Sequence, residues 1–103
     1  MDNAKDIEAR EIYAQSINLV DKEGRLRAAF DVNDDGSVDL VFYHYKENQR
    51  HGGGRLSIEM SADGNPSIYL NNDKSRVSIR MPKDQDPTIE LFNEQGRIWS
   101  SDD

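Results

Sequence analysis

The feature that most constrains the fold is a short unit that occurs four times. Ile17-Asn18-Leu19 leads to Gly24-Arg25-Leu26, and Leu40-Val41-Phe42 leads to Gly54-Arg55-Leu56. Ile68-Tyr69-Leu70 leads to Ser75-Arg76-Val77, and Ile89-Glu90-Leu91 leads to Gly96-Arg97-Ile98. Three copies span nine residues from first apolar residue to last. The second spans sixteen, because it carries a seven-residue insertion ending in His51-Gly52-Gly53-Gly54. After each Arg-apolar pair the first three copies alternate strictly: Leu26-x-Ala28-x-Phe30, Leu56-x-Ile58-x-Met60 and Val77-x-Ile79-x-Met81. The next copy begins 14, 12 and 12 residues after Leu26, Leu56 and Val77, which defines a 21-residue unit with two extra residues in copy one.

A repeat of this length is one supersecondary unit stacked on its neighbours. Period-two alternation broken by Gly, Pro, Asn and Asp clusters identifies that unit as an antiparallel hairpin. Strands are predicted at residues 17–20, 25–32, 38–45, 54–61, 67–71, 76–81, 88–92 and 96–100. The Gly residues of Lys22-Glu23-Gly24 and Gln95-Gly96 suit turns that need a positive φ. Pro66, Pro82 and Pro87 fall at strand ends, where a missing N–H does no harm. Alternation assigns one face to Ile17, Leu19, Leu26, Ala28, Phe30 and their equivalents as far as Leu91 and Ile98. Val41, Tyr43, Tyr45, Tyr69, Phe92 and Trp99 fall on the other.

The expected fold is therefore all-β, an antiparallel meander of about four hairpin repeats over residues 17–100. Residues 1–16 form an N-terminal segment, strand or short helix, with the repeat favouring strand, and residues 101–103 an acidic tail. One apolar sheet face must be buried. The sheet can curl into a small barrel, fold into a sandwich, or lie against copies of itself as a β-prism or β-helix-like oligomer. Composition favours the last. Hydrophobic residues make up only 35% of the 103, and a small monomer with so thin an apolar inventory is marginally stable. A homo-oligomer is expected, with a trimer favoured.

The segment Leu19-Val20-Asp21-x-x-Gly24-Arg25-x-Arg27-Ala28, followed by Asp35-Gly36-Ser37, resembles a group of small uncharacterised bacterial β-repeat proteins. Copies three and four depart from it, with Asn71 and Asn93 in the place of Asp21 and Ser75 in the place of Gly. The resemblance implies the fold class and no activity.

Asp31-Val32-Asn33-Asp34-Asp35-Gly36-Ser37-Val38-Asp39 places oxygen-bearing residues at alternate positions with Gly at the sixth, a pattern that wraps hard cations. An EF-hand needs Glu at position twelve, where Phe42 stands. The spacing resembles the calcium loops of FG-GAP propeller blades. By that resemblance Asp31, Asn33, Asp35 and Asp39 would offer side-chain oxygens to Ca²⁺, and Ser37 its carbonyl. The alternative is a plain solvated hairpin turn. For the ion, copy one is two residues longer where the loop falls; against it, the turns at 61–67 and 82–88 lack the ligand spacing.

No residue set defines a catalytic centre, and a non-enzymatic protein is expected. Arg50-His51-Gly52-Gly53-Gly54-Arg55 has the backbone of an anion cradle, but no Gly-x-Ser-x-Gly nucleophile elbow accompanies it. His44 and His51, without cysteine, cannot make a zinc site. A net charge of -7 disfavours nucleic acid and anionic membranes as partners. No apolar run reaches the ~20 residues of a membrane span, and the N-terminus lacks signal-peptide character, so a cytoplasmic location is expected. The aromatic residues of the second face suit a subunit interface. The expected role is a structural or assembly module that self-associates through its sheet. The alternative is a calcium-dependent or carbohydrate-type binding module using the 31–39 loop or the aromatic face.

Overall fold

Each repeat folds into a hairpin, and the hairpins join into one sheet. The computed structural model describes residues 6–44 and 54–102. Its eight strands are β1 (Ser16–Val20), β2 (Leu26–Val32), β3 (Val38–Tyr43), β4 (Arg55–Met60), β5 (Pro66–Asn71), β6 (Arg76–Arg80), β7 (Thr88–Asn93) and β8 (Gly96–Ser100). They pair in chain order, each antiparallel to the last. β1 and β8 remain edges, so the chain by itself forms neither the barrel nor the sandwich considered from sequence. Residues 6–15 form neither strand nor helix. A lone stretch before the first copy has no hairpin partner of its own, and only the Gln15 carbonyl joins the ladder, accepting from Val32 N–H at 2.9 Å.

The register turns the repeat into rows. One apolar row crosses seven strands: Ile17, Phe30, Leu40, Ile58, Ile68, Ile79 and Ile89. The next runs Leu19, Ala28, Phe42, Leu56, Leu70, Val77, Leu91 and Trp99. Large β-branched and aromatic side chains directly opposite one another are the pairs that stabilise a sheet.

Two register shifts correct the sequence alignment. In the first hairpin Val20 pairs with Leu26 but Leu19 with Ala28, so Ala28 rather than Leu26 holds the position of Leu56 and Val77. In the last, Phe92 pairs with Arg97 but Leu91 with Trp99. Each shift is a β-bulge, which flips the parity of the residues beyond it. Trp99, placed on the polar face by alternation, stands instead in the apolar row beside Leu91.

The dimensions are those of a slab. The principal extents are 57 × 35 × 21 Å and the radius of gyration is 17.1 Å, against about 13 Å for a compact domain of ~100 residues. A single layer cannot bury its own apolar face, and this one does not.

Candidate interaction surface

Of the large side chains on the apolar face, none is buried. Ile17, Leu19, Phe30, Phe42, Ile58, Leu70, Ile89 and Trp99 are between 41% and 59% exposed. Each is thus half-covered and half-exposed. A third row at one end of the strands, with Val32, Val38, Met60 and Pro66 in register and Met81 bonded to Pro66, extends the same surface. Isolated exposed apolar residues are ordinary, but a continuous patch of this size is the mark of an interaction surface.

The opposite face inverts the expectation. Its middle row is Asn18, Ala29, Val41, Ser57, Tyr69, Ser78, Glu90 and Ser100. Here lie all the best-buried residues but Ala28 of the apolar row, also at 5%: Ala29 at 5%, Val41 at 4%, Ser57 at 3%, Ser78 at 4% and Ser100 at 2% exposed. They are small, and longer side chains of the flanking rows stand over them. On one side the row is Tyr43, Arg55, Asn71, Arg76, Phe92 and Arg97; on the other, Ser16, Asp31, Asp39, Glu59, Ser67, Arg80 and Thr88. Glu90 joins the flanks, bonded by Arg80 at 2.8 Å and Arg97 at 3.2 Å.

The aromatic residues expected to gather on this face do not make one platform. Val41 is buried in the middle row, Tyr69 lies in that row two strands away, and Tyr45 falls outside the described residues. Tyr43 and Phe92 share a flanking row but stand four strands, roughly 19 Å, apart. Each carries a guanidinium: Arg55 lies 5.8 Å from the Tyr43 ring centroid and Arg76 lies 4.1 Å from that of Phe92. In each pair the guanidinium lies over one face of the ring, a cation–π contact.

The 31–39 loop is one of three turns built alike. Asn33 N–H donates to Ser37 O at 2.8 Å and Gly36 N–H to Asn33 O at 2.9 Å. The same pair of bonds links Asp21 with Arg25 and Gly24, and Ser61 with Asn65 and Gly64. Gly24, Gly36 and Gly64 have φ of 81°, 90° and 88°, the left-handed position of a three-residue hairpin loop with its bulge. From Ala28 to Leu40 is 12 residues, as from Leu56 to Ile68 and Val77 to Ile89. The two extra residues of copy one therefore lie in the first hairpin, not in this turn, and the length argument for an ion-wrapping loop falls.

The loop's oxygens bond within the loop and its strands. Asp35 accepts from Ser37 N–H at 2.8 Å and Ser37 Oγ at 2.6 Å, bonds that hold its carboxyl below the ordinary carboxylate value. Asn33 Nδ2 donates to Ser37 Oγ at 2.9 Å and to Asp39 at 3.2 Å, and Ser16 Oγ donates to Asp31. Among the described residues no group of three or more His, Asp or Glu is arranged to hold a metal ion. The first turn uses the same device. Desolvation pushes the Asp21 carboxyl up, but the N–H and guanidinium of Arg25 and the N–H of Glu23 outweigh it and hold the group low.

His44 is exposed at the end of β3, its N–H bonded to Gly54 O at 2.9 Å, which closes the β3–β4 ladder before the insertion. His51 and its glycines at 52 and 53 lie outside the described residues. Among the described residues no helix is long and apolar enough to cross a membrane. Set against protein-family models, curated proteins and solved structures, the chain finds no match.

Proposed function

We propose that this protein is a non-enzymatic assembly module whose apolar sheet face is its contact with further copies of itself. The observation that carries the reading is the half-exposed apolar row spanning seven strands of a single-layer sheet. Burial of apolar area is the dominant favourable term in folding, and this chain leaves most of it for a second layer to supply. Sheets pack face to face about 10 Å apart through such rows. Eight strands at about 4.8 Å and strand lengths near 17–20 Å give a face of roughly 700 Å² in projection. That is close to the about 800 Å² that each partner brings to a standard interface. An identical sheet matches it in width and in the absence of charge.

The test is the solution mass by light scattering after size exclusion. A multiple of 11.8 kDa that falls in Ile58→Glu supports the reading. A parent chain that runs as a sharp monomer at tens of micromolar overturns it.

A further inference from the structure

The two edges of the sheet differ, and the difference assigns a second contact. β8 is guarded. It carries Arg97, it is bulged at Ile98, and the chain turns back after it, with Asp102 N–H donating to Ser100 Oγ at 3.2 Å over a residue only 2% exposed. Bulges, charges and covering turns are how proteins block edge-to-edge pairing. The bulge of the β1 hairpin places its extra residue, Arg27, on β2 rather than on the edge strand. Ser16-Ile17-Asn18-Leu19-Val20 contains no charge, no proline and no glycine, and every residue in it is exposed.

The hydrogen-bond phase shows which groups are free. Val32 N–H bonds to Gln15 O, so by alternation Ile17 and Leu19 face the β2 ladder while Ser16, Asn18 and Val20 turn their N–H and C=O outward. We propose that β1 pairs antiparallel with β1 of a second copy about a two-fold axis through Asn18. In that register each Asn18 exchanges both backbone bonds with the second copy's Asn18, and Ser16 pairs with Val20. Ile17 meets Leu19 on the apolar face. A two-fold normal to the sheet keeps both apolar faces on one side, so the rows continue across the junction; a one-residue slip sets apolar against polar. The strand is neutral, so a chain of net charge -7 meets its copy without opposing like charges directly. The exposed surface of the sheet lies both on its apolar face and along β1. It can serve a face and an edge together. The edge contact builds on the face reading, since the two combined close a four-chain assembly of paired two-folds.

The experiment substitutes Asn18→Pro. Proline removes the outward N–H and leaves the bonds of Ile17 and Leu19 to β2 in place, as edge strands tolerate. The expected result is half the parent's solution mass at equal concentration. An unchanged mass overturns the pairing. Should the variant fail to fold, amide exchange on the parent decides: protection at Ser16, Asn18 and Val20 that disappears on dilution upholds the contact, and exchange as fast as in a free edge overturns it. Ile58→Glu separates the two surfaces. If Asn18→Pro halves the mass and Ile58→Glu does not change it, the edge stands and the face reading falls. The reverse pair of results removes the edge and keeps the face.

Discussion

On one face of the sheet Ile, Leu, Phe and Met stand half in water; on the other, Ala29, Ser57 and Ser78 are almost wholly withdrawn from it. Within a single layer, burial follows the size of the neighbours rather than hydrophobicity. A short side chain in a middle row is covered by Arg, Tyr and Glu from the rows beside it. A large apolar side chain that stands as tall as its neighbours can be covered only by another layer. The polar face is thus completed by the chain itself, whereas the large side chains of the apolar face stay half-exposed among the described residues.

The strongest way to break this contrast is a charge at the centre of the apolar face. Ile68→Glu should break the face contact, halve the solution mass and lower the thermal midpoint by more than about 10 °C. Losing the burial of one such side chain costs about 2–3 kcal/mol, and each kcal/mol moves the midpoint of a domain this size by about 4–8 °C. Asn71→Glu on the polar face is the control. Its mass should match the parent's, with a change within about 0.5 kcal/mol. Equal loss in both would erase the distinction between the faces. The next effect is internal to the chain. Val41→Ala removes two buried methyl groups beneath the flanking row and should cost about 2 kcal/mol in denaturant titration, with the solution mass intact.

Alanine at Gly24, Gly36 or Gly64 should cost about 1 kcal/mol each, because all three sit at φ between 81° and 90° in the same turn. A markedly larger cost at Gly36 would set that turn apart. Asp35→Ala should lower the midpoint slightly by freeing Ser37 N–H and Oγ, by the same amount with and without millimolar calcium. A calcium-dependent difference would show that the loop takes a metal. The smallest effect is in acid. The folded-state values of Asp21 and Asp35 lie below the unfolded carboxylate value, so their stabilisation is complete above about pH 4 and is lost as the pH falls through the folded values. Asp21→Asn should flatten part of that acid slope in a melting series from about pH 5 to about pH 2.

Much of this architecture was legible in the chain. Alternation located all eight strands to within two residues wherever they are described, because a half-buried strand writes its period directly into the sequence. Residues that alternation misplaced lie beside bulges. Trp99 joins the apolar row and Leu26 leaves it, because a single extra residue reverses parity and nothing in composition marks where it sits. The apparent lengthening of the 31–39 loop arose from an alignment on Leu26, whereas the bulge and the longer turn of the first hairpin put Ala28 in that place. The burial of Val41 and of the serines at 57, 78 and 100 had no signal either, since it depends on side chains from neighbouring strands.

The sequence alone determined the hairpin unit, its fourfold recurrence and the separation of apolar from polar positions, because these depend on neighbours one to a few residues apart along the chain. The tertiary structure decided that the hairpins form one open layer, which of its edges is guarded, and that Trp99 joins the apolar rows. Those outcomes depend on register between strands, which hydrogen-bond geometry across the sheet sets and local pattern does not.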